Sequence, residues 1–236
     1  MSSNNIMPIL LDLDGALLDT SAREEKCKRN GKMDWECWFN PDNLSLDKPN
    51  EQVISLIRRL NEAVYIASGR VRELQWDGTM RQLEGIGLKA DGVFLKPKAW
   101  QYAKEYVYKA RVAIWLSSHG ILINHIIDDN PRVLDVVSNA LVAFGYPKPR
   151  LWLVRGGSVS EYEARGSSVG WISLEADHDG FKADCPIENI IRIIIDVNAY
   201  YALCIDAGVR FRISGLDLLM ARVNGREWFS PILTPS

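Results

Sequence analysis

Two carboxylates lie two residues apart at the end of a short apolar run near the N-terminus. The run covers residues 7–13 and contains Asp12, and Asp14 and Gly15 follow it directly. This pattern predicts a buried strand of a parallel sheet, and open α/β sheets bind ligands at the carboxyl ends of such strands. Alternation along a strand directs Asp12 and Asp14 to the same side. Because two like charges this close repel each other, the pair predicts a bound cation beside a metal- or phosphate-binding site.

Two later apolar runs also end in polar residues. Residues 63–67 are followed by Ser68-Gly69-Arg70, where a hydroxyl and backbone N–H groups can bind a phosphate. Residues 123–127 are followed by Asp128-Asp129-Asn130-Pro131, which supplies a second carboxylate pair. Taken alone, the first segment is more typical of a turn, and the second is equally typical of a helix N-cap before proline. Their shared position at strand ends is what predicts one common site.

The elements that must position these residues alternate between strand and helix. Apolar, β-rich runs predict five strands, over residues 7–13, 63–67, 92–95, 123–127 and 151–154. Helical spacing of apolar residues predicts four helices, over residues 51–61, 72–86, 99–116 and 131–141. The alternation predicts an α/β fold with a Rossmann-like, doubly wound parallel sheet within residues 1–155.

Three segments fall outside this alternation. An insertion as long as residues 20–48 typically covers an active site, so we expect it to form a small cap. The glycines and serines of residues 156–168 predict a linker. Residues 169–236 predict a C-terminal α+β extension whose role the sequence does not indicate. Its apolar pattern predicts a helix over 187–207, a strand over 209–213 and a short amphipathic segment over 216–223.

The composition is that of a soluble globular protein. Hydrophobic residues make up 47% of the chain and charged residues 25%, and the formal net charge of −2 gives no global attraction to nucleic acid. We expect no contact with a membrane, because no uninterrupted apolar run is long enough to cross one and the N-terminus has no signal-peptide pattern. The cysteines show no zinc-ligand spacing and are predicted to be free thiols in the cytoplasm. They are Cys27, Cys37, Cys185 and Cys204.

Taken in chain order, the polar residues at the ends of the predicted strands resemble the motifs of the haloacid dehalogenase-like phosphohydrolases. Asp12-Leu13-Asp14-Gly15 matches the first motif of that superfamily, Ser68 the second and Asp128-Asp129 the fourth. The third motif is a lysine before the fourth strand, and Lys109 matches it best. The alternatives are Lys104, Lys96 and Lys98.

The closer resemblance is to the phosphatase domain of phage-type polynucleotide kinases and its stand-alone relatives. Three stretches carry it: residues 31–39, 66–70 and 127–133. The resemblance implies a Mg²⁺-dependent phosphomonoesterase that acts on a phosphorylated small molecule, a nucleotide or a nucleic-acid end. No GxxxxGK[ST] loop occurs in the chain, so the resemblance does not extend to the kinase activity.

The resemblance also implies a role for each matched residue. Asp12 would attack phosphorus and form an aspartyl-phosphate, and Asp14 would protonate the leaving oxygen and then activate water. Lys109 would bridge the phosphate and the nucleophile.

The same resemblance implies two sets of ligands. Ser68, Gly69 and Arg70 would bind the phosphoryl oxygens. Mg²⁺ would be bound by Asp12, by Asp14 through its backbone carbonyl, and by the Asp128-Asp129 pair.

Two features leave alternatives open. Ala16 stands where the family usually has a threonine, which favours a catalytically weakened protein that serves as a nucleic-acid-binding or assembly module through its C-terminal third. The basic run over residues 23–32 is either a solvated surface or a guide for a nucleic-acid end. Trp35 and Trp38 beside it either stack on a base or fill the core of the cap.

Overall fold

The structure is a computed structural model that describes residues 8–164 and, beyond them, the backbone of six strands. In the N-terminal part the elements are β1 (Ile9–Leu11), β2 (Leu18–Asp19), α1 (Ser21–Cys27), β3 (Lys28–Arg29), β4 (Lys32–Met33), α2 (Trp35–Phe39), a 3₁₀ helix (Pro41–Leu46) and β5 (Lys48–Pro49). The next elements are α3 (Glu51–Leu60), β6 (Val64–Val71), α4 (Arg72–Ile86), β7 (Gly92–Lys96), a second 3₁₀ helix (Lys98–Trp100), α5 (Glu105–Ser118), β8 (His125–Asp128), α6 (Pro131–Ala143), β9 (Arg150–Arg155) and β10 (Ser158–Tyr162).

The central sheet has six strands in the order β10-β9-β8-β1-β6-β7. All neighbours pair in parallel except β9 and β10, which form an antiparallel hairpin at one edge. Leu11 is in register with Ile66 on one side and with Ile127 on the other. The predicted α/β class with a mostly parallel, Rossmann-like sheet is therefore confirmed. Asp12 follows β1, Ser68–Arg70 lie in the C-terminal half of β6 and Asp128 ends β8, so these residues are at the same end of the sheet.

The two faces of β1 pack into two different hydrophobic clusters. Leu10 belongs to a cluster with residues of α5 and α6, whereas Ile9 and Leu11 belong to a cluster with residues of α3. This division follows from the period of two along a strand. The strand is thus covered on both sides, which explains why its sequence is a continuous apolar run rather than an alternating one.

Residues 158–162, which were predicted to lie in a linker, are the edge strand β10 of the central sheet. Glu161 pairs with Trp152 of β9 across a tight turn at Gly156 and Gly157, both with positive φ. Those glycines were interpreted as linker residues, but they form the hairpin turn that returns the chain to the sheet. The sheet therefore extends beyond residue 155.

The helix predicted over residues 187–207 is wrong. The structure has β11 (Gly170–Ile172), β12 (Ile190–Asp196), β13 (Ala199–Cys204) and β14 (Val209–Ser214), which form a second sheet in the order β11-β14-β13-β12. The isoleucines of β12 are β-branched and fit a strand better than a helix. The strand predicted over 209–213 is confirmed by β14. Of the amphipathic segment predicted over 216–223, all but β15 (Arg222–Val223), which pairs with β16 (Arg226–Glu227), lies outside the described residues.

The insertion, residues 20–48, leaves and re-enters the main fold at one place. Leu18 and Asp19 of β2 pair antiparallel with Pro49 and Lys48 of β5. Within the insertion, β3 and β4 form a hairpin whose turn, Asn30-Gly31, has positive φ at both residues, as a two-residue hairpin turn requires. Among the described residues, no helix is long and apolar enough to cross a membrane.

Cys27 and Cys37 form a disulfide, so the prediction of free thiols is wrong for these two residues. Cys27 ends α1, Cys37 lies in α2, and their Cα atoms are 5.4 Å apart. The sequence shows only two cysteines ten residues apart. Their pairing depends on the β3–β4 hairpin, which turns the chain back and brings the two helices side by side.

Candidate active site and metal centre

Asp12 lies at the carboxyl end of β1 and is almost fully buried. Its backbone N–H donates to the Ile127 carbonyl at 3.0 Å, and the chain then turns back, with the Leu18 N–H bound to the Leu13 carbonyl at 2.8 Å. Gly15 lies in this turn at a φ of +86°, and a Cβ atom there would run into the Asp129 carboxylate. The turn thus needs a glycine for its conformation and for the close approach of Asp129.

The Ala16 backbone is held without a threonine hydroxyl. Its carbonyl accepts a hydrogen bond from the Asn50 side-chain amide at 3.2 Å, and the Asn50 N–H donates to the Leu17 carbonyl at 2.9 Å. The Ala16 methyl group is fully buried in the cluster beneath the turn. The turn after Asp12 is therefore intact despite the departure that the sequence shows at residue 16.

Lys109 lies on α5 in the middle of the predicted site. Its ammonium group is 2.8 Å from Asp12 Oδ1, 2.7 Å from Asp128 Oδ2 and 2.7 Å from Glu105 Oε1. Burial opposes its charge, but the three carboxylates outweigh burial and raise the pKa of Lys109 well above its ordinary value. Lys109 is thus a cation at neutral pH.

The other three candidate lysines are held differently, although Lys96 is close enough for the charges of Glu105, Lys109 and Asp12 to act on its pKa, which burial lowers. Lys96 donates to the Ala103 carbonyl at 2.7 Å, and Lys98 and Lys104 are exposed. Of the four lysines that the sequence left open, the structure brings Lys109 into contact with Asp12 and Asp128.

Asp12, Asp128 and Asp129 form an acidic cluster that can hold a metal ion, with one oxygen of each within 4.8 Å of the others. Burial raises the pKa of Asp12 and Asp128 despite the nearby Lys109. Desolvation and then the Asp128 charge raise the pKa of Asp129 to about 7. Three carboxylates contact the Lys109 ammonium group and Asp129 lies beside two of them, so the carboxylates outnumber Lys109 and the nearby Lys96 and leave an excess of negative charge. A hard cation such as Mg²⁺ fits this all-oxygen donor set and would offset that charge.

Asp14 lies near the cluster, but its carboxylate binds two arginines instead. Asp14 Oδ1 is 2.5 Å from Arg23 Nη2, 2.7 Å from Arg70 Nη2 and 3.0 Å from Arg70 Nε. Burial opposes the charge on Asp14, but the two guanidinium groups outweigh it and lower the pKa of the carboxyl group. The Asp14 carboxylate is thus separate from the metal cluster, and any part of Asp14 in metal binding falls to its backbone carbonyl.

Asp47 holds both arginines from the other side. Asp47 Oδ1 is 3.0 Å from Arg23 Nε, and Asp47 Oδ2 is 2.9 Å from Arg70 Nη2. Arg70 Nη1 also donates to Gln82 Oε1 at 2.6 Å and to Thr79 Oγ1 at 2.9 Å. Desolvation raises the pKa of Asp47 to about 6, despite both arginines. Two acids and two arginines therefore form one closed, buried network around Asp14.

Ser68-Gly69-Arg70 was predicted to be a turn after a strand, but the segment lies within β6, at an irregularity of its pairing with β7. It also differs from its predicted phosphate-binding role at one residue. Arg70 is buried, and its guanidinium group is engaged by side chains, so the structure gives it the role of holding Asp14 rather than a phosphoryl oxygen. Ser68 is also buried and its hydroxyl accepts from the Arg70 N–H at 3.3 Å. A Cβ atom on Gly69 would be 3.2 Å from the Glu105 carboxylate, so this part of β6 lies against Glu105.

Of the aromatic residues in and near the insertion, Trp38 packs inside it, whereas Trp35 and Tyr102 are exposed. The Arg23 guanidinium carbon lies 4.1 Å from the centroid of the Trp38 ring, so Trp38 packs against another residue of the insertion. Trp35 is 51% exposed and stacks on Phe39, and Phe39 makes an edge contact with Tyr102, which is 74% exposed. Tyr102 lies three residues before Glu105 at the start of α5.

Sequence reasoning missed three residues of the site. Glu105 was not predicted, although its i,i+4 spacing from Lys109 is a helix ion-pair signal. Arg23 was treated as one charge in a basic run. Nothing in the sequence marks Asp47, because its two partners lie in different elements that meet only in the fold.

No protein-family model matches this chain, and no curated protein matches it. The functional interpretation therefore rests on the site itself. That site consists of a buried carboxylate beside one lysine, a triad of aspartates able to bind a cation, and a second carboxylate held by two arginines.

Proposed function

We propose that the protein is a Mg²⁺-dependent phosphomonoesterase that transfers a phosphoryl group to Asp12 and then hydrolyses the intermediate. The observation that carries this proposal is the unequal environment of the two carboxylates after β1. Asp12 lies among Lys109, Asp128 and Asp129, whereas Asp14 is held by Arg23 and Arg70. Two carboxylates in opposite electrostatic environments suit two different chemical roles.

Asp12 is the nucleophile in this proposal. Its Oδ atom forms a bond to phosphorus while the bond from phosphorus to the leaving oxygen breaks, which gives an aspartyl-phosphate. Lys109 touches the same carboxylate at 2.8 Å, so it holds Asp12 in place and shields it from the phosphate charge. Glu105 in turn holds Lys109 at 2.7 Å from one helical turn away.

The metal would be held by Asp12, Asp128 and Asp129. Mg²⁺ bound there would supply positive charge beside the phosphoryl oxygens, which the negatively charged carboxylates of the cluster repel. The Asn130 N–H donates to Asp128 Oδ1 at 2.9 Å, which fixes the orientation of that carboxylate.

Asp14 is the proton carrier. An incoming phosphate dianion raises the pKa of a nearby carboxyl group, so Asp14 takes up a proton as substrate binds and delivers it to the leaving oxygen. After the alcohol leaves, the two arginines favour the anionic form of Asp14 again. That form accepts the proton of the water that attacks the aspartyl-phosphate.

The substrate we propose is a phosphorylated nucleotide or nucleic-acid end. The exposed rings of Trp35 and Tyr102 support this class, because flat aromatic faces stack on nucleobases whatever the base. Exposed Lys98 and Lys104 lie on either side of Tyr102 in the chain and favour an anionic ligand.

The test is phosphate release from p-nitrophenyl phosphate and from 3′- and 5′-phosphorylated oligonucleotides, mononucleotides and sugar phosphates, with Mg²⁺ and with a chelator. We expect activity that requires Mg²⁺ and falls at least about 10³-fold in Asp12→Asn, because a reaction through a covalent intermediate loses its nucleophile. Asp77→Asn, which changes an exposed carboxylate on α4, is the matched control and should keep wild-type activity.

Two results would contradict the proposal in different ways. Activity retained in Asp12→Asn would exclude the aspartyl-phosphate route. A wild-type protein inactive on the whole panel with Mg²⁺, Mn²⁺ and Ca²⁺ would exclude the enzyme and favour the binding or assembly module.

A further inference from the structure

The disulfide between Cys27 and Cys37 lies directly beside the contact that positions Arg23. Cys27 is one helical turn after Arg23 on α1, and Cys37 immediately precedes Trp38 on α2. Trp38 in turn lies over the Arg23 guanidinium group. The disulfide and this cation–π contact are thus adjacent links between the same two helices.

These two helices need such links. α1 has seven residues and α2 has five, and helices this short are not stable on their own in water. Besides the disulfide, the Asn43 side chain ties them together, since its amide donates to the Cys37 carbonyl at 2.8 Å and its oxygen accepts from Lys26 at 2.7 Å. The disulfide is the covalent member of this set.

Arg23 couples the arrangement of the insertion to the position of the Asp14 carboxylate. It is fully buried and contacts Asp14 at 2.5 Å and Asp47 at 3.0 Å. A shift of α1 relative to α2 therefore moves one of the two cations that hold Asp14, while Arg70, on the central sheet, stays in place.

We infer that the Cys27–Cys37 disulfide is a redox control of this site, and that its reduction releases α1 from α2 and lowers turnover. The inference rests on the proposed function and adds its regulation. Disulfides in reducing compartments are typically redox-sensing or catalytic rather than structural.

The exchange takes a dithiol reductant. Cys37 is half-buried and Cys27 is fully buried, so the incoming thiolate attacks the Cys37 sulfur and the Cys27 thiolate leaves and gains a proton. The second thiol of the reductant then displaces the Cys37 thiolate, which also gains a proton. The protein gains two electrons and two protons, and the reductant becomes a disulfide.

The test compares one protein preparation before reduction, after dithiothreitol, and after reoxidation. We expect kcat for a phosphorylated substrate to fall about 10-fold on reduction, since small displacements of positioning groups have effects of this size, and to recover on reoxidation. The kcat of the Cys27→Ser/Cys37→Ser double variant should equal that of the reduced protein and should not change on addition of dithiothreitol. Cys185→Ser/Cys204→Ser, which leaves the disulfide pair intact, should respond as wild type does.

A second measurement does not depend on activity. Amide hydrogen exchange in residues 21–39 should become faster on reduction, whereas α6 should stay unchanged as the internal reference. Unchanged exchange and unchanged kcat, with alkylation showing both thiols free, would overturn the inference. Faster exchange in a protein that is inactive in both states would refute the proposed phosphatase and leave the disulfide as a control of the insertion alone. Faster exchange with unchanged kcat would refute the control of turnover.

Discussion

Lys109→Met removes the one cation that Asp12, Asp128 and Glu105 share. The substitution keeps the unbranched apolar stem and most of the length of the side chain, so its main effect is electrostatic. The three contacts of 2.7 to 2.8 Å are lost, which leaves three carboxylates without their shared cation. Breaking a buried ion pair by removing one member costs about 3–5 kcal/mol, and we expect the free energy of unfolding to fall by that amount without metal.

The sign of the pH dependence follows from the raised carboxyl pKa values. Burial already raises the pKa of Asp12 and Asp128 in the wild type, and loss of Lys109 raises them further. The folded variant then binds more protons than the unfolded chain at intermediate pH, so its stability rises as the pH falls. The loss of unfolding free energy in Lys109→Met should therefore become smaller as the pH falls.

The assay is urea unfolding followed by tryptophan fluorescence, in chelator and then in Mg²⁺. With a urea m-value of about 2–3 kcal/mol/M, the expected loss lowers the unfolding midpoint by about 1–2.5 M. Mg²⁺ should restore part of the loss, because a cation that binds only the folded state stabilises it. Lys104→Met is the matched control, since that lysine is exposed. A midpoint in Lys109→Met equal to that of Lys104→Met would refute the reasoning.

Three further predictions concern the metal cluster and the arginine network. Gly15→Ala should weaken Mg²⁺ binding, measured by calorimetry, because its Cβ atom meets Asp129; Gly145→Ala has a similar φ but open space and should not weaken it. Mg²⁺ affinity should rise with pH through about 7, the pKa of Asp129, because a carboxyl ligand must lose its proton to bind metal; a pH-independent affinity would contradict this. Arg70→Lys keeps the charge but loses the forked contacts, so we expect kcat to fall by about 10- to 100-fold, with the exposed Arg72→Lys as its control.

The central sheet could be predicted because its sequence signals are local. The five predicted strands are short apolar runs, and α3 and α6 each begin at a capping asparagine, Asn50 and Asn130. Asp12, Ser68 and Asp128 could be placed together for the same reason, since parallel strands deliver their carboxyl ends to one edge. Lys109 required the family resemblance to be preferred over three other lysines.

The remaining features depend on contacts between distant residues. The Cys27–Cys37 bond, and the binding of Arg23 and Arg70 by Asp47, exist only after the insertion folds back on the sheet. Arg70 was predicted to bind phosphate because it follows Ser68-Gly69 in the motif. Sequence spacing fixes where its backbone lies but not which carboxylate its long side chain reaches.

The short β2–β5 ladder has a consequence for how this fold can change. The chain departs at Leu18 and returns at Pro49, its direct partner in a two-stranded ladder separate from the central sheet. The two ends of the insertion therefore stay together whatever lies between them. Asp12 and the metal ligands belong wholly to the sheet and its helices, whereas Arg23 and Asp47 come from the insertion. Replacement of the insertion would therefore alter the proton-handling half of the site and its choice of substrate while the phosphoryl-accepting half stays as it is. The two halves can evolve separately, and a designer could exchange one without rebuilding the other.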